Sequence, residues 1–137
     1  KIQEDILKVA KKVNLQDDLN TKIGMYSGGM KQRLLIASCI IGNPQLLIFD
    51  EPTAGLDPKE RVRVKNLLKE LAEDKIIIIA THIVPDIENI AKEIIILKKG
   101  VLIEKSNPEE LIKKYTEQGD LEDVYMSIFG NEEDEKK

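Results

Sequence analysis

The sequence predicts an α/β fold built on a parallel sheet, and three observations carry that expectation. Three short apolar runs, Leu46 to Phe49, Ile76 to Ala80 and Ile94 to Leu97, read as strands. Segments of helical periodicity separate them, giving strand, helix, strand, helix, strand. The Ile76 run is β-branched and continuous, as expected of a central parallel strand buried on both faces.

In chain order, Ile2, Ile6, Val9, Ala10 and Val13 fall on one helical face, so the first dozen residues form an amphipathic helix. A polar stretch from Asn14 to Lys22 leads to Tyr26-Ser27-Gly28-Gly29, which opens a second helix running to about Ile41. Gly42 caps that helix, and Pro44 forbids its continuation. Leu46 to Phe49 is a buried strand. Beyond it, Asp57 caps a third helix, Pro58 suits its first position and Glu60 completes a capping box. Val64, Leu67, Leu68 and Leu71 mark the buried face of this helix, which ends near Glu73.

After the Ile76 strand, a short helix spans about Pro85 to Ala91. Ile94 to Leu97 then turns through Lys98-Lys99-Gly100 into Val101-Leu102-Ile103 as a hairpin. Asn107-Pro108-Glu109-Glu110 repeats the capping pattern ahead of a helix containing Leu111, Ile112 and Tyr115. Leu121, Val124, Tyr125, Ile128 and Phe129 form a last amphipathic helix closed by Gly130, and the charged tail Asn131 to Lys137 is expected to be disordered.

A chain of 137 residues suits one core. The net charge of −4, with lysines interleaved among acids, leaves no basic stripe and argues against a nucleic-acid partner. Cys39 is the only cysteine, which excludes an internal disulfide and any multi-cysteine metal site; its apolar neighbours mark it as a small core residue. No apolar run reaches membrane-helix length, and nothing resembles a signal peptide, so the compartment expected is reducing and cytoplasmic. The first residue is Lys1 rather than Met, which reads as a piece of something longer.

Chemistry concentrates at strand ends. Asp50 and Glu51 follow the first strand, where ligands bind in open α/β sheets. One carboxylate there can hold Mg²⁺ and its neighbour can accept a proton from an attacking water; a solvated acidic loop is the competing reading of the same residues. Ser27-Gly28-Gly29 opens a helix, whose unpaired N–H groups and positive dipole end can receive a phosphate, although Ser27 can equally be a simple N-cap. His82, the single histidine, ends a strand that should neighbour the Asp50-Glu51 strand, so it belongs either to the same rim or to ordinary surface.

Taken together, Tyr26-Ser27-Gly28-Gly29-Met30-Lys31-Gln32-Arg33, Leu46-Leu47-Ile48-Phe49-Asp50-Glu51-Pro52-Thr53, Gly55-Leu56-Asp57-Pro58 and Thr81-His82 resemble ABC transporter ATP-binding subunits, in family order and from Lys1 to about Tyr115. The resemblance implies part of a P-loop NTPase (RecA-like) parallel sheet flanked by helices, with the remainder of the ABC helical subdomain at the N-terminus. It implies three regions: residues 1–43 a partial helical subdomain carrying the signature motif, 44–118 a partial catalytic core, and 119–137 a C-terminal helix and charged tail. It assigns Ser27, Gly28 and Gly29 to the signature motif that contacts the γ-phosphate of ATP held by the opposite protomer. Asp50 matches the residue that orients Mg²⁺, Glu51 the carboxylate that polarises the attacking water, Asp57 the D-loop residue at the dimer interface, and His82 the switch histidine that reaches the γ-phosphate. Tyr26 and Met30 stand where the family most often has Leu and Gln, and neither change removes a backbone donor.

The implied partners are transmembrane subunits and a second nucleotide-binding domain in a head-to-tail dimer, on the inner face of the cell membrane. A P-loop requires Gly-x-x-x-x-Gly-Lys-[Ser/Thr], and no glycine here precedes a lysine. The expectation is therefore the C-terminal portion of such a domain, unable alone to bind ATP tightly or hydrolyse it. In the family the P-loop strand lies between the strand ending at His82 and the Ile94 strand. Its absence should leave two unpaired edges, resolved by closure of the gap, by self-association through strand edges or by a companion fragment. Two other functions compete: a catalytically silent module donating its signature motif in trans, and a soluble ABC-type ATPase.

Overall fold

A computed structural model describes residues 1–130. The expected disordered tail lies outside the described residues. The chain divides into two units, Lys1–His82 and Ile83–Lys137.

The first unit opens with α1 (Ile2–Lys12) and, after two short 3₁₀ turns, α2 (Gly28–Ile40). Ser27 caps α2 by accepting from the Met30 amide at 3.2 Å, and Gly42 follows its end at φ +87°, a conformation that glycine adopts without steric cost. Next come β1 (Leu46–Asp50), α3 (Pro58–Leu71) and β2 (Ile76–Ala80). Asp57 caps α3 by accepting from the Glu60 amide at 3.0 Å. The two strands pair in parallel, Leu46 opposite Ile76 through Asp50 opposite Ala80. Leu47 and Phe49 of β1, Ile36 and Ile40 of α2, and Val64, Leu67, Leu68 and Leu71 of α3 share one buried core with Val13 and Leu15.

Burial on both strand faces does not hold. Leu46 and Ile78 are exposed, Ile48 is 67% exposed and Ile76 66%. The physical reason is that the core cluster packs against the Leu47/Phe49 and Ile77/Ile79 face alone, so alternate residues of both strands meet solvent. Cys39 is likewise exposed rather than core. The inward face of α2 runs through Gly29, Arg33, Ile36, Ala37 and Ile40, and Cys39 falls outside that stripe. In α1 only Ala10 is buried; Ile2 and Ile6 are exposed.

The second unit holds α4 (Val84–Ile87), β3 (Ile94–Lys98), β4 (Val101–Ser106), α5 (Pro108–Tyr115) and α6 (Leu121–Phe129). Helix α4 is a single turn, shorter than the sequence suggested. Strands β3 and β4 form the expected antiparallel hairpin, turning on Lys99 at φ +49° and Gly100 at φ +77°, the two positive-φ positions that a tight two-residue turn demands. A register shift beyond Ile96 places Glu104 opposite Ile96 and Leu102 opposite Leu97, leaving Ile103 as the extra residue of a bulge. Asn107 caps α5, and Asp120 with Asp123 forms a reciprocal capping box on α6. Ile94, Leu111, Leu121 and Val124 make a separate small core.

Strand β3 was expected to continue the parallel sheet. The described strands instead form two sheets, β1-β2 and β3-β4. Among the described residues, the Leu46, Ile48, Ile76 and Ile78 face of β1 and β2 lacks the covering layer that parallel sheets ordinarily have on both faces. No described helix is long and apolar enough to cross a membrane.

Candidate phosphate-handling site

Parallel pairing of β1 and β2 fixes the chemistry of their shared end. The ladder runs to Asp50 opposite Ala80, and the Glu51 amide extends it by donating to Ala80 O at 2.8 Å. Glu51 then leaves the strand at φ +47°, in the left-handed region that a β-carbon disfavours. This turn brings its carboxylate onto the Thr81-His82 segment that follows β2. His82 Nδ1 lies 2.6 Å from Glu51 Oε1, the His82 amide donates to the same oxygen at 3.1 Å, and Thr81 Oγ1 donates to Oε2 at 2.9 Å.

The juxtaposition expected of Glu51 and His82 is thus observed as direct contact. The hydrogen bond from the His82 ring holds the Glu51 carboxyl below its ordinary value, with the Thr81 hydroxyl and the His82 amide adding to the effect and burial opposing it. A carboxylate accepts only, so the shared proton belongs on Nδ1. That leaves Nε2 of an imidazole 73% exposed, able to meet a ligand.

Asp50 stands one residue earlier, exposed at the strand end. No group of three or more His, Cys, Asp or Glu that could hold a metal ion occurs among the described residues. Mg²⁺ does not require one, since it keeps several waters and is usually held by one or two carboxylates with substrate phosphates. Asp50 fits that donor set.

The Ser27–Gly29 turn lies elsewhere. A β-carbon on Gly28 would meet Leu56 Cδ2 at 4.0 Å, and one on Gly29 would stand 2.5 Å from Glu60 Cγ and closer still to its carboxylate. The turn therefore packs on the Leu56–Glu60 segment, which contains Asp57, and not on the Glu51–His82 pair. The Glu60 side chain thus occupies the space beside Gly29. Glu60 does not close the expected capping box; its carboxylate goes to arginines, with Arg63 Nη1 at 2.7 Å from Oε1 and Arg33 Nε at 3.5 Å from Oε2. Arg33, 7% exposed at its side chain, also donates through Nη1 to Val13 O at 2.9 Å and Asn14 O at 2.7 Å.

Thr81, Arg33 and Glu60 were not singled out as site residues from the sequence. Thr81 had a usable signal, its place at a strand end beside His82. Arg33 and Glu60 had none, because their partners lie across the fold.

Comparison with known proteins bears on this arrangement directly. The ABC transporter family model matches residues 1–54. The chain is 37% identical over 123 residues to ABC transporter A family member 8 of Dictyostelium discoideum, covering 90% of this chain and 15% of that protein. The ABC transporter ATP-binding protein YxlF of Bacillus subtilis is 37% identical over 111 residues, 81% of this chain and 38% of that one. The Nod factor export ATP-binding protein I of Rhizobium leguminosarum is 41% identical over 101 residues, 73% and 32% respectively. The chain thus matches the ABC transporter family over residues 1–54 and is similar to ABC transporter proteins over most of its length.

Its α/β fold matches that of MJ1267, an ATP-binding cassette of an ABC transporter solved in an ADP conformation, at a TM-score of 0.75 and 24% identity over 90% of this chain and 49% of that one. The chain therefore spans less than half the length of each of these proteins.

Proposed function

We propose that this chain supplies part of an ATP-hydrolysing machine that drives membrane transport. The observation that carries the reading is the Glu51–His82–Thr81 constellation beside Asp50 at the carboxyl end of a parallel strand pair. Phosphoryl transfer asks the protein mainly for positioning and charge neutralisation, and this end of the sheet offers both. Mg·ATP, when bound, supplies the electrophilic γ-phosphorus and the cation that neutralises its oxygens.

Within that reading, Asp50 would hold Mg²⁺, whose charge would neutralise phosphate oxygens. Glu51, ionised and fixed by three donors, keeps lone pairs on both oxygens to orient and polarise an attacking water. His82 holds Glu51 through Nδ1 and turns its exposed Nε2 toward a γ-phosphate oxygen. Ser27, Gly28 and Gly29 present the start of α2 to the γ-phosphate on a second nucleotide-binding domain, and Asp57 faces the same dimer interface. Residues 1–43 act as the signature-bearing subdomain, 44–118 as catalytic core and 119–137 as a C-terminal appendage. Transmembrane subunits are the partners, and the place of action is the cytoplasmic face of the membrane.

The phosphate cradle is the missing part. With no Gly-Lys pair, this polypeptide alone neither binds ATP tightly nor hydrolyses it. The test is ATP turnover by a longer polypeptide in which a P-loop segment precedes this chain. Glu51→Gln there should abolish turnover and retain Mg·ATP binding; turnover at the wild-type rate would remove Glu51 from the mechanism. A signature turn without a P-loop also suits a silent module that acts in trans. That reading is favoured if adding this chain raises the ATPase rate of a P-loop-bearing partner and Gly28→Asp cancels the rise.

A further inference from the structure

Gly29 and Glu60 lie 31 positions apart, yet the Glu60 side chain occupies the space a β-carbon at Gly29 would need. Glu60 is held there from two sides. Arg63, one turn further along α3, donates to Oε1 at 2.7 Å, and Arg33, one turn along α2 from Gly29, faces Oε2 at 3.5 Å. Arg33 is itself anchored by two hydrogen bonds from Nη1 to the Val13 and Asn14 carbonyls, at the end of α1. One carboxylate and one guanidinium therefore tie three helix ends together: the start of α2, the start of α3 and the end of α1.

This pair is a poor choice for stability alone. Arg33 Nε and Glu60 Oε2 are both buried and make no hydrogen bond in the 3.5 Å contact. Buried pairs of that geometry regain little of their desolvation cost, and apolar residues of similar volume commonly serve as well. What the pair does achieve is registration. Glu60 is the third residue of α3, whose N-cap is Asp57, and it covers the second residue of α2, whose N-cap is Ser27.

We infer that Arg33 and Glu60 are positioning residues that fix the Ser27–Gly29 turn against the Asp57 cap, so that both segments meet a nucleotide phosphate as one rigid unit. This inference rests on the reading that Ser27, Gly28, Gly29 and Asp57 act on nucleotide. Loss of the pair frees the turn to shift by a fraction of an ångström, which costs transition-state contacts more than ground-state ones.

Two experiments test it. On the 137-residue chain, Gly29→Ala, Glu60→Ala and the double variant are compared by thermal denaturation and by the amide NMR shifts of Gly28 and Met30. The expected result is non-additivity: Gly29→Ala lowers the melting temperature, and combining it with Glu60→Ala costs no more than Glu60→Ala alone. Additive losses would overturn the packing on which the inference stands. In the P-loop-bearing polypeptide, Glu60→Gln, which keeps the volume and removes the charge, should lower kcat about tenfold or more with KM for ATP nearly unchanged. An unchanged kcat in Glu60→Gln beside an active wild type overturns the positioning function while sparing the ATPase reading. An inactive wild type overturns the ATPase reading, and with it any function for the pair on nucleotide.

Discussion

Replacing Arg33 by Met isolates the contribution of its charged head, because Met fills a similar path and removes every donor. The Arg33 side chain is 7% exposed and that of Glu60 13%. Two charge-assisted hydrogen bonds to the Val13 and Asn14 carbonyls disappear, each worth about 1.5–3 kcal/mol. Breaking a buried ion pair by removing one partner costs roughly 3–5 kcal/mol in total, hydrogen bonds included. Arg63 still neutralises Glu60 from a half-exposed position, which argues for the low end, about 3 kcal/mol. For a unit the size of Lys1–His82 this corresponds to a fall in melting temperature of roughly 12–24 °C. Urea unfolding followed by circular dichroism, with hydrogen exchange at the α2 amides to report on the first unit, measures it. A loss below about 1 kcal/mol, the range of an exposed ion pair, would refute the reasoning. Arg33→Lys should fall between wild type and Met, since a compact ammonium lacks the planar fork that reaches the two carbonyls from one side and faces the carboxylate from another.

Further outcomes follow from other parts of the structure. Leu71 has 0% exposure at the centre of the first core, so Leu71→Ala should cost about 2–5 kcal/mol in urea unfolding, whereas the same truncation at exposed Leu46 should be far milder. Glu51 titrates below its ordinary value of 4.5 when folded, so its stabilising effect is fully present above that pH and is lost as pH falls through the lower folded value. The stability gap between wild type and Glu51→Gln should therefore be constant above about pH 5 and shrink in more acid solution. The partly exposed pair limits that gap to under about 1 kcal/mol, and a gap that widens in acid would contradict the assignment.

The local signals of this sequence were sufficient wherever a single residue type decides the backbone. Ser27, Asp57-Pro58 and Asn107-Pro108 start helices because their side chains satisfy free amides or their ring fits the first turn. Gly100 marks the hairpin turn because it takes a positive φ at no steric cost, whereas Lys99 at φ +49° carries no such preference. The meeting of Glu51 with His82 was legible too, since two neighbouring parallel strands bring their following residues to one rim. Four isoleucines in a row, by contrast, carry no alternation, so Ile76 to Ile79 could not reveal that one face lies open. Cys39 sits in an apolar run whose inward stripe is set by Arg33, a charged residue that hydrophobic periodicity discounts. The left-handed turn at Glu51 has no sequence mark, because glutamate has no preference for positive φ and its contacts with Thr81 and His82 lie across the strand pair.

The central proposal is that Asp50, Glu51 and His82 form the Mg²⁺- and water-handling end of an ATPase whose phosphate cradle is not in this sequence. Titration calorimetry with Mg·ATP tests it most directly, on this chain and on a longer polypeptide that adds a P-loop segment before Lys1. Heat of binding only in the longer polypeptide is the predicted result. Tight binding by the 137-residue chain itself would contradict it and would mean that a different phosphate site exists in these residues.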